Sequence, residues 1–181
     1  MNNLIHKIIN LKKLIVSVII ILVKLLMAIR RLQSELTQLN KDPNYFYSVS
    51  PNMNNFMEWD FLIIGPPDTF YEGGLFTGNI KFPKEYPNKP PKLKFMSEMH
   101  HPNIYKDGNV CISILHEGVD EFGYESVNER WNPSHSVNTV LMSIISMLGF
   151  PNFESPANVD ASKEWQESES TYKNKIFKLV S

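Results

Sequence analysis

Two segments of alternating apolar residues, separated by glycines and prolines, most constrain the fold of this chain. Apolar side chains recur at every second position over residues 57–63 and again, with Gly78 included, over residues 76–82. This period of two places one set of side chains on one face of a strand. Gly65-Pro66-Pro67 and Gly73-Gly74 lie between the segments and are typical of turns. The pattern therefore predicts two neighbouring half-buried strands.

Helical patterns flank these strands. Apolar residues at positions 25, 29, 32, 36 and 39 form one stripe of a helix, which Asp42-Pro43 ends because the residue before a proline disfavours helical geometry. Ser136 can cap a second helix, which Gly149 and Pro151 close, and residues 161–180 indicate one or two more. Residues 45–49 and 92–95 predict two further strands. The order predicts an α+β fold with a four-stranded antiparallel meander.

Composition excludes several classes of function. The 181 residues include 18 basic and 19 acidic ones, a net charge of −1, which argues against a nucleic-acid partner. Cys111 is the only cysteine, so no internal disulfide can form and a cytoplasmic setting is expected. The histidines lack paired ligand spacing around this thiol, so no metal site is predicted.

Residues 1–24 form an apolar N-terminal extension, and residues 25–181 are predicted to be the core domain. The extension has ten uncharged residues, 14–23, before Lys24 interrupts the run. A membrane-spanning helix needs about 20 apolar residues, so this length does not decide the role. Three interpretations stay open: membrane association through residues 4–27, a functionally silent extension, or a helix packed on the domain.

The single thiol has two interpretations of its own. A cysteine between valine and isoleucine is usually a small core side chain. Ten residues upstream, however, His101-Pro102-Asn103 and the turn Lys106-Asp107-Gly108 place an imidazole and an amide where the thiol can approach them. A papain-like protease uses the same residue types, but here the histidine precedes the cysteine and the local signature is missing.

Six motifs together give a resemblance to a known family. They are, in order, Trp59 with Gly65-Pro66, Tyr86-Pro87-Asn88-Lys89-Pro90-Pro91, His101-Pro102-Asn103, Cys111, Trp131-Asn132-Pro133 and Pro151-Asn152. From Ala28 to its C-terminus the chain resembles the ubiquitin-conjugating enzymes, which implies the ubiquitin-conjugating fold. It is most similar to the G subgroup, through residues 65–69, 111–116 and 155–161.

The resemblance implies an acyltransferase. Cys111 would accept ubiquitin as a thioester from the activating enzyme and pass it, with a RING-type ligase, to lysines. Asn103 would donate a hydrogen bond to the oxyanion, and His101 would hold the loop. No cofactor is implied, because ATP is consumed by the activating enzyme. Part of the G subgroup serves degradation of endoplasmic-reticulum proteins, which implies the cytosolic face of that membrane.

A non-catalytic ubiquitin-binding or ligase-binding variant of the same fold is the alternative. Such variants lose the cysteine, so the presence of both Cys111 and Asn103 argues against this alternative.

An acidic insertion separates Cys111 from Trp131. It carries Glu117, Asp120, Glu121, Glu125 and Glu129. Minimal family members have aspartates where this chain has Ser113 and Ser155. Asp120 and Glu121 are therefore predicted to orient the acceptor lysine, with Glu154 as the next candidate, unless the insertion is a solvated loop.

Ligase contacts are implied for two loops and the first helix. The residues that the resemblance assigns are Arg30, Arg31, Asn88, Pro133 and Ser134. Asn88 stands where many family members expose a phenylalanine, so ligases that prefer the aromatic residue are not expected to bind well.

Overall fold

The computed structural model describes residues 2–120, 123, 125–126 and 128–180, with the side chains of residues 2–5 and 8 left outside the description. Helix α1 (Asn2–Lys41) precedes four strands, a 3₁₀ turn (Ser113–Leu115) and three more helices. The strands are β1 (Tyr47–Asn52), β2 (Asn55–Ile64), β3 (Leu75–Lys81) and β4 (Lys92–Phe95). The later helices are α2 (Val137–Gly149), α3 (Val159–Glu167) and α4 (Glu169–Val180). The predicted α+β architecture is confirmed.

The sheet is an antiparallel meander in the order β1-β2-β3-β4. Phe61 of β2 pairs with Gly78 of β3, and both are buried. A Cβ atom on Gly78 would lie 2.1 Å from the Phe61 ring, so only glycine lets that ring cross the neighbouring strand. The ring then packs edge-on against Phe95 of β4 at 5.3 Å. The alternation in the sequence thus becomes one buried face.

The first strand differs from its predicted bounds. It runs from Tyr47 to Asn52 instead of residues 45–49. The Asn44 side chain accepts the Phe46 N–H at 2.7 Å, which holds the chain in a turn before the strand begins. Pro51 is tolerated near the end because β1 is an edge strand, where a missing N–H disrupts no central ladder.

Helix α1 passes without a break through the boundary predicted at residue 24. It ends at Lys41, just before the predicted stop. Ala28 and Leu32 are fully buried, whereas the large apolar side chains between residues 9 and 27 are mostly exposed. Among the described residues, no helix has the length and apolar character required to cross a membrane.

Helix α2 lies against the core and begins at the predicted cap. The Ser136 hydroxyl accepts the Thr139 N–H, and the Thr139 hydroxyl accepts the Ser136 N–H at 2.8 Å. This reciprocal pair satisfies two backbone donors at the helix start. Leu141, Ile144 and Leu148 are fully buried along one face of α2. Their burial holds α2 against the core, and the loop that contains His101 rests on this helix.

Candidate active site

The segment after β4 brings Cys111 to the edge of the sheet. Gly108 has φ +89°, and a Cβ atom there would lie 2.2 Å from the Phe95 carbonyl oxygen, so the turn requires glycine. The Cys111 N–H donates to the Asn103 carbonyl at 3.0 Å. Cys111 itself is partly exposed. Backbone pairing therefore holds the thiol at a solvent-accessible position.

His101 ties this segment to α2 as a neutral imidazole. The ring is fully buried, its Nε2 donates to the Met147 carbonyl at 2.9 Å, and its Nδ1 accepts the Asn103 N–H at 2.9 Å. Burial lowers the pKa of His101 to about 4. A buried ring with both nitrogens engaged holds the loop in place.

The Asn103 side chain is turned toward the chain that follows α2. Its Nδ2 donates to the Asn152 carbonyl at 2.7 Å, and its Oδ1 accepts the Asn152 N–H at 2.8 Å. The residue is 2% exposed. Because Nδ2 carries two N–H groups, donation to an oxyanion at Cys111 needs either the second N–H or a rotation of the amide away from Asn152.

A second histidine, whose place in the site was not predicted from the sequence, lies beside the thiol. His116 Nε2 is 3.6 Å from Cys111 Sγ. Its Nδ1 lies 2.9 and 3.0 Å from the two carboxylate oxygens of Glu125 in the insertion. A 3₁₀ turn of three residues separates Cys111 from His116. A turn this short leaves no apolar periodicity in the sequence, so the spacing of the two residues could not indicate this contact.

Glu125 is anchored from three sides. Ser113 Oγ donates to it at 2.8 Å, and Arg130 Nη1 approaches it at 2.6 Å, in addition to the contact with His116. Burial acts to raise the pKa of Glu125, but the hydrogen bonds from His116 and Ser113 and the nearby positive charges outweigh it and lower the pKa. Glu125 is therefore ionised at neutral pH, and Ser113 serves as its support.

The other acidic residues of the insertion have separate contacts. Asp120 Oδ2 accepts the Glu125 N–H at 2.9 Å, and Glu117 pairs with Lys89 at 3.1 Å. Glu129 accepts the Ser126 N–H at 3.0 Å. Glu121 lies outside the described residues. Asp120 thus supports the backbone of Glu125, the carboxylate that contacts His116.

Glu154, the further candidate for orienting a lysine, is exposed in the segment after α2. Its N–H donates to Asn152 Oδ1 at 2.9 Å. The same asparagine holds the Asn103 amide through its backbone.

An open groove of about 980 Å³ runs past the thiol. Tyr105 and Lys106 lie along it together with residues 157–160 that precede and begin α3. The charge of the Cys111 thiolate and a hydrogen bond with Cys111 raise the pKa of Tyr105. Lys106 pairs with Asp160 at 2.7 Å across the groove. The groove therefore leaves the thiol accessible from solvent.

The residues assigned to ligase contacts lie in joined segments. Trp131 Nε1 donates to the Pro87 carbonyl at 2.8 Å, which links the two proline-containing loops. Arg31 donates to the carbonyls of Pro133 at 3.1 Å and His135 at 2.8 Å. Arg31 is partly buried in these contacts. Arg30, Asn88, Pro133 and Ser134 are exposed.

Comparison with known proteins identifies relatives of this chain. The family described as ubiquitin-conjugating enzyme matches residues 31–180. A probable ubiquitin-conjugating enzyme E2 7 of Caenorhabditis elegans is 58% identical over 70% of this chain and 78% of its own length. Ubiquitin-conjugating enzyme E2 7 of Arabidopsis thaliana is 51% identical over 82% of this chain and 91% of its own. Human ubiquitin-conjugating enzyme E2 G2 is 52% identical over 80% of this chain and 89% of its own.

The chain therefore belongs to the ubiquitin-conjugating enzymes. The similarity to E2 G2 supports the G subgroup within that family. Membership makes the protein a transferase whose general partners are ubiquitin, an activating enzyme and ubiquitin ligases.

Proposed function

We propose that Cys111 carries ubiquitin as a thioester and that the enzyme transfers it to lysine side chains. The observation that supports this most directly is the partly exposed thiol on the groove. A thiolate is a strong nucleophile even when only a few per cent is ionised. Exchange of one thioester for another is nearly balanced in energy, so charging needs no cofactor or metal of the enzyme itself.

Charging with activating enzyme, ubiquitin and ATP tests this proposal. The wild-type protein should give a ubiquitin adduct on a non-reducing gel that thiol reagents remove. Cys111→Ser should give an adduct that resists reducing agent, or none, and Cys111→Ala should give none. Because Cys111 is the only cysteine, these variants isolate a single sulfur. A wild-type protein that is folded and never charges would overturn the proposal.

We also propose that a RING-type ligase binds the surface formed by Arg30, Asn88, Pro133 and Ser134. These side chains are exposed, and the loops that carry them are joined by the Trp131 hydrogen bond to Pro87. Charge reversal of Arg30 should weaken ligase-stimulated discharge and leave charging unchanged. Charge reversal of Lys173, an exposed cation on α4, is the matched control.

We propose that residues 4–27 associate with a membrane surface and that the enzyme works at the cytosolic face of the endoplasmic reticulum. Support comes from exposed apolar side chains on α1, from lysines at 7, 12, 13 and 24, and from the absence of acidic residues before Glu35 in that helix. Apolar area and cations together favour anionic lipid. The ascribed role in degrading endoplasmic-reticulum proteins rests on similarity to the G subgroup.

Vesicle flotation tests the membrane association. The full chain should float with vesicles that contain phosphatidylserine, and less with pure phosphatidylcholine. Ile19→Lys, which places a charge in the apolar run, should reduce flotation without reducing charging. Equal recovery of both proteins in the unbound fraction would contradict the association. Slower turnover of a misfolded endoplasmic-reticulum reporter in cells with the Cys111→Ala protein would support the degradative role.

A further inference from the structure

His116, Glu125 and Arg130 form a connected set of polar side chains beside the thiol. His116 Nε2 lies 3.6 Å from Cys111 Sγ, and the His116 side chain is 36% exposed. The imidazole can therefore be reached by a second substrate while it stays beside the sulfur. Its other nitrogen faces Glu125 at 2.9 Å.

Glu125 sets which nitrogen of His116 holds the proton. An ionised carboxylate only accepts hydrogen bonds, so in the neutral imidazole Nδ1 carries the hydrogen and Nε2 presents its lone pair toward Cys111. Both carboxylate oxygens contact Nδ1, at 2.9 and 3.0 Å. Arg130 also donates to the Glu117 carbonyl at 2.9 Å, so its bond to Glu125 fixes the carboxylate to the start of the insertion. The set is thus rigid on the side away from the thiol.

We infer that His116 accepts the proton of the attacking lysine, with Glu125 as its positioning residue. This inference rests on the proposed thioester at Cys111. The lysine ammonium gives one proton to His116 Nε2, and the neutral amine then attacks the thioester carbonyl carbon. The C–S bond breaks, the surplus proton on the attacking nitrogen passes to the Cys111 thiolate, and an isopeptide forms. His116 then releases its proton to water.

The need for a proton acceptor is greater for an amine than for a thiol. In water, the side-chain pKa is about 10.4 for lysine and about 8.5 for cysteine. At neutral pH a free thiol therefore loses its proton more readily than a lysine ammonium does. General base catalysis typically contributes about 10²–10⁴-fold. Loss of His116 should therefore slow transfer to lysine far more than it slows charging.

Discharge of preformed thioester to two nucleophiles tests the inference. Lysine is mostly protonated at neutral pH, whereas hydroxylamine is already neutral and needs less proton removal. For His116→Gln we expect discharge to lysine to fall about 100-fold. Discharge to hydroxylamine and the rate of charging should change less than about threefold. Equal slowing with both nucleophiles, or wild-type discharge to lysine, would overturn the inference.

Glu125 supplies a second variant that keeps the shape of the site. Glu125→Gln should slow discharge to lysine at least about tenfold, because the amide no longer fixes the imidazole tautomer. Glu125→Asp should recover part of that loss. If one of the His116 or Glu125 variants fails to charge while wild type charges, the substitution has damaged the loop. The variant at the other residue then tests the inference. If wild type itself fails to charge, the proposed function fails instead, so the two failures are distinguishable.

Discussion

At the residue scale, one imidazole and one amide side chain near Cys111 face different partners. His116 faces the thiol, whereas the Asn103 amide faces the Asn152 backbone. A buried amide that loses its partners costs about 1–3 kcal/mol. Asn103 therefore contributes to the stability of the loop, whatever it does during transfer.

Asn103→Ala separates these two contributions. If the amide donates to the oxyanion, discharge to lysine should fall about 10²–10³-fold at matched charging. The loss of the Asn152 bonds should also lower the free energy of unfolding. Single-turnover discharge and urea unfolding measure the two effects. Unchanged discharge with lowered stability would leave Asn103 with the loop-holding role alone.

At the element scale, α1 has two parts with different surroundings. Ala28 and Leu32 are fully buried, whereas Lys24 is half exposed and lies 4.0 Å from Glu85. An exposed ion pair at that distance contributes about 0–1 kcal/mol. The part before Ala28 therefore adds little to the core.

A chain that begins at Lys24 should fold and charge at the wild-type rate. The physical reason is that burial along α1 starts at Ala28. A chain that begins at Gln33 is the matched control, because it also removes Leu32, whose loss from a core costs about 2–5 kcal/mol. Thermal unfolding and the charging assay measure the outcome. Loss of folding in the longer chain would mean that residues 1–23 pack on the domain.

The acidic insertion is the second element with a testable role. Neutralising Asp120 and Glu121 together is expected to slow ubiquitin-chain formation more than charging, because the carboxylates would attract and orient the acceptor lysine. In Asp120→Asn the side-chain oxygen can still accept the Glu125 N–H, so charge is lost with the contact kept. Glu129→Gln, an exposed site in the same insertion, is the control. No change in either rate would mean that Asp120 and Glu121 do not orient the acceptor lysine, and would turn attention to Glu154.

At the scale of the whole molecule, the buried His101 links stability to pH. Its native pKa is about 4, below the ordinary histidine value of 6.5. The unfolded chain therefore takes up a proton first, and stability present above pH 6.5 is lost as the pH falls toward 4. The loss amounts to about 3 kcal/mol at 1.36 per pH unit. Urea unfolding at pH 7.5, 6 and 5 measures the part of this loss that falls above pH 5, about 2 kcal/mol.

His101→Gln is the matched variant for that titration. The Gln amide can still donate to the Met147 carbonyl but does not titrate. Its free energy of unfolding should therefore change less between pH 7.5 and 5 than that of the wild type. An identical pH dependence in both proteins would assign the acid sensitivity to other groups.

The elements were predictable because their causes are local. Alternation over residues 57–63 gave one buried face, Asp42-Pro43 marked the end of α1, and Ser136 capped α2. Each signal depends on backbone geometry or on side chains within a few residues. Cys111 and His101 could likewise be singled out from motifs in order along the chain.

Tertiary structure alone decided how the active-site side chains meet. The contact of His116 with Cys111 and Glu125 depends on how the insertion closes between the His116 carbonyl and the Trp131 N–H, which are 3.0 Å apart. The direction of the Asn103 amide depends on Asn152, 49 residues away. Periodicity encodes which face of an element is buried. It carries no record of which distant loops the folded chain brings together, because that depends on the packing of the whole molecule.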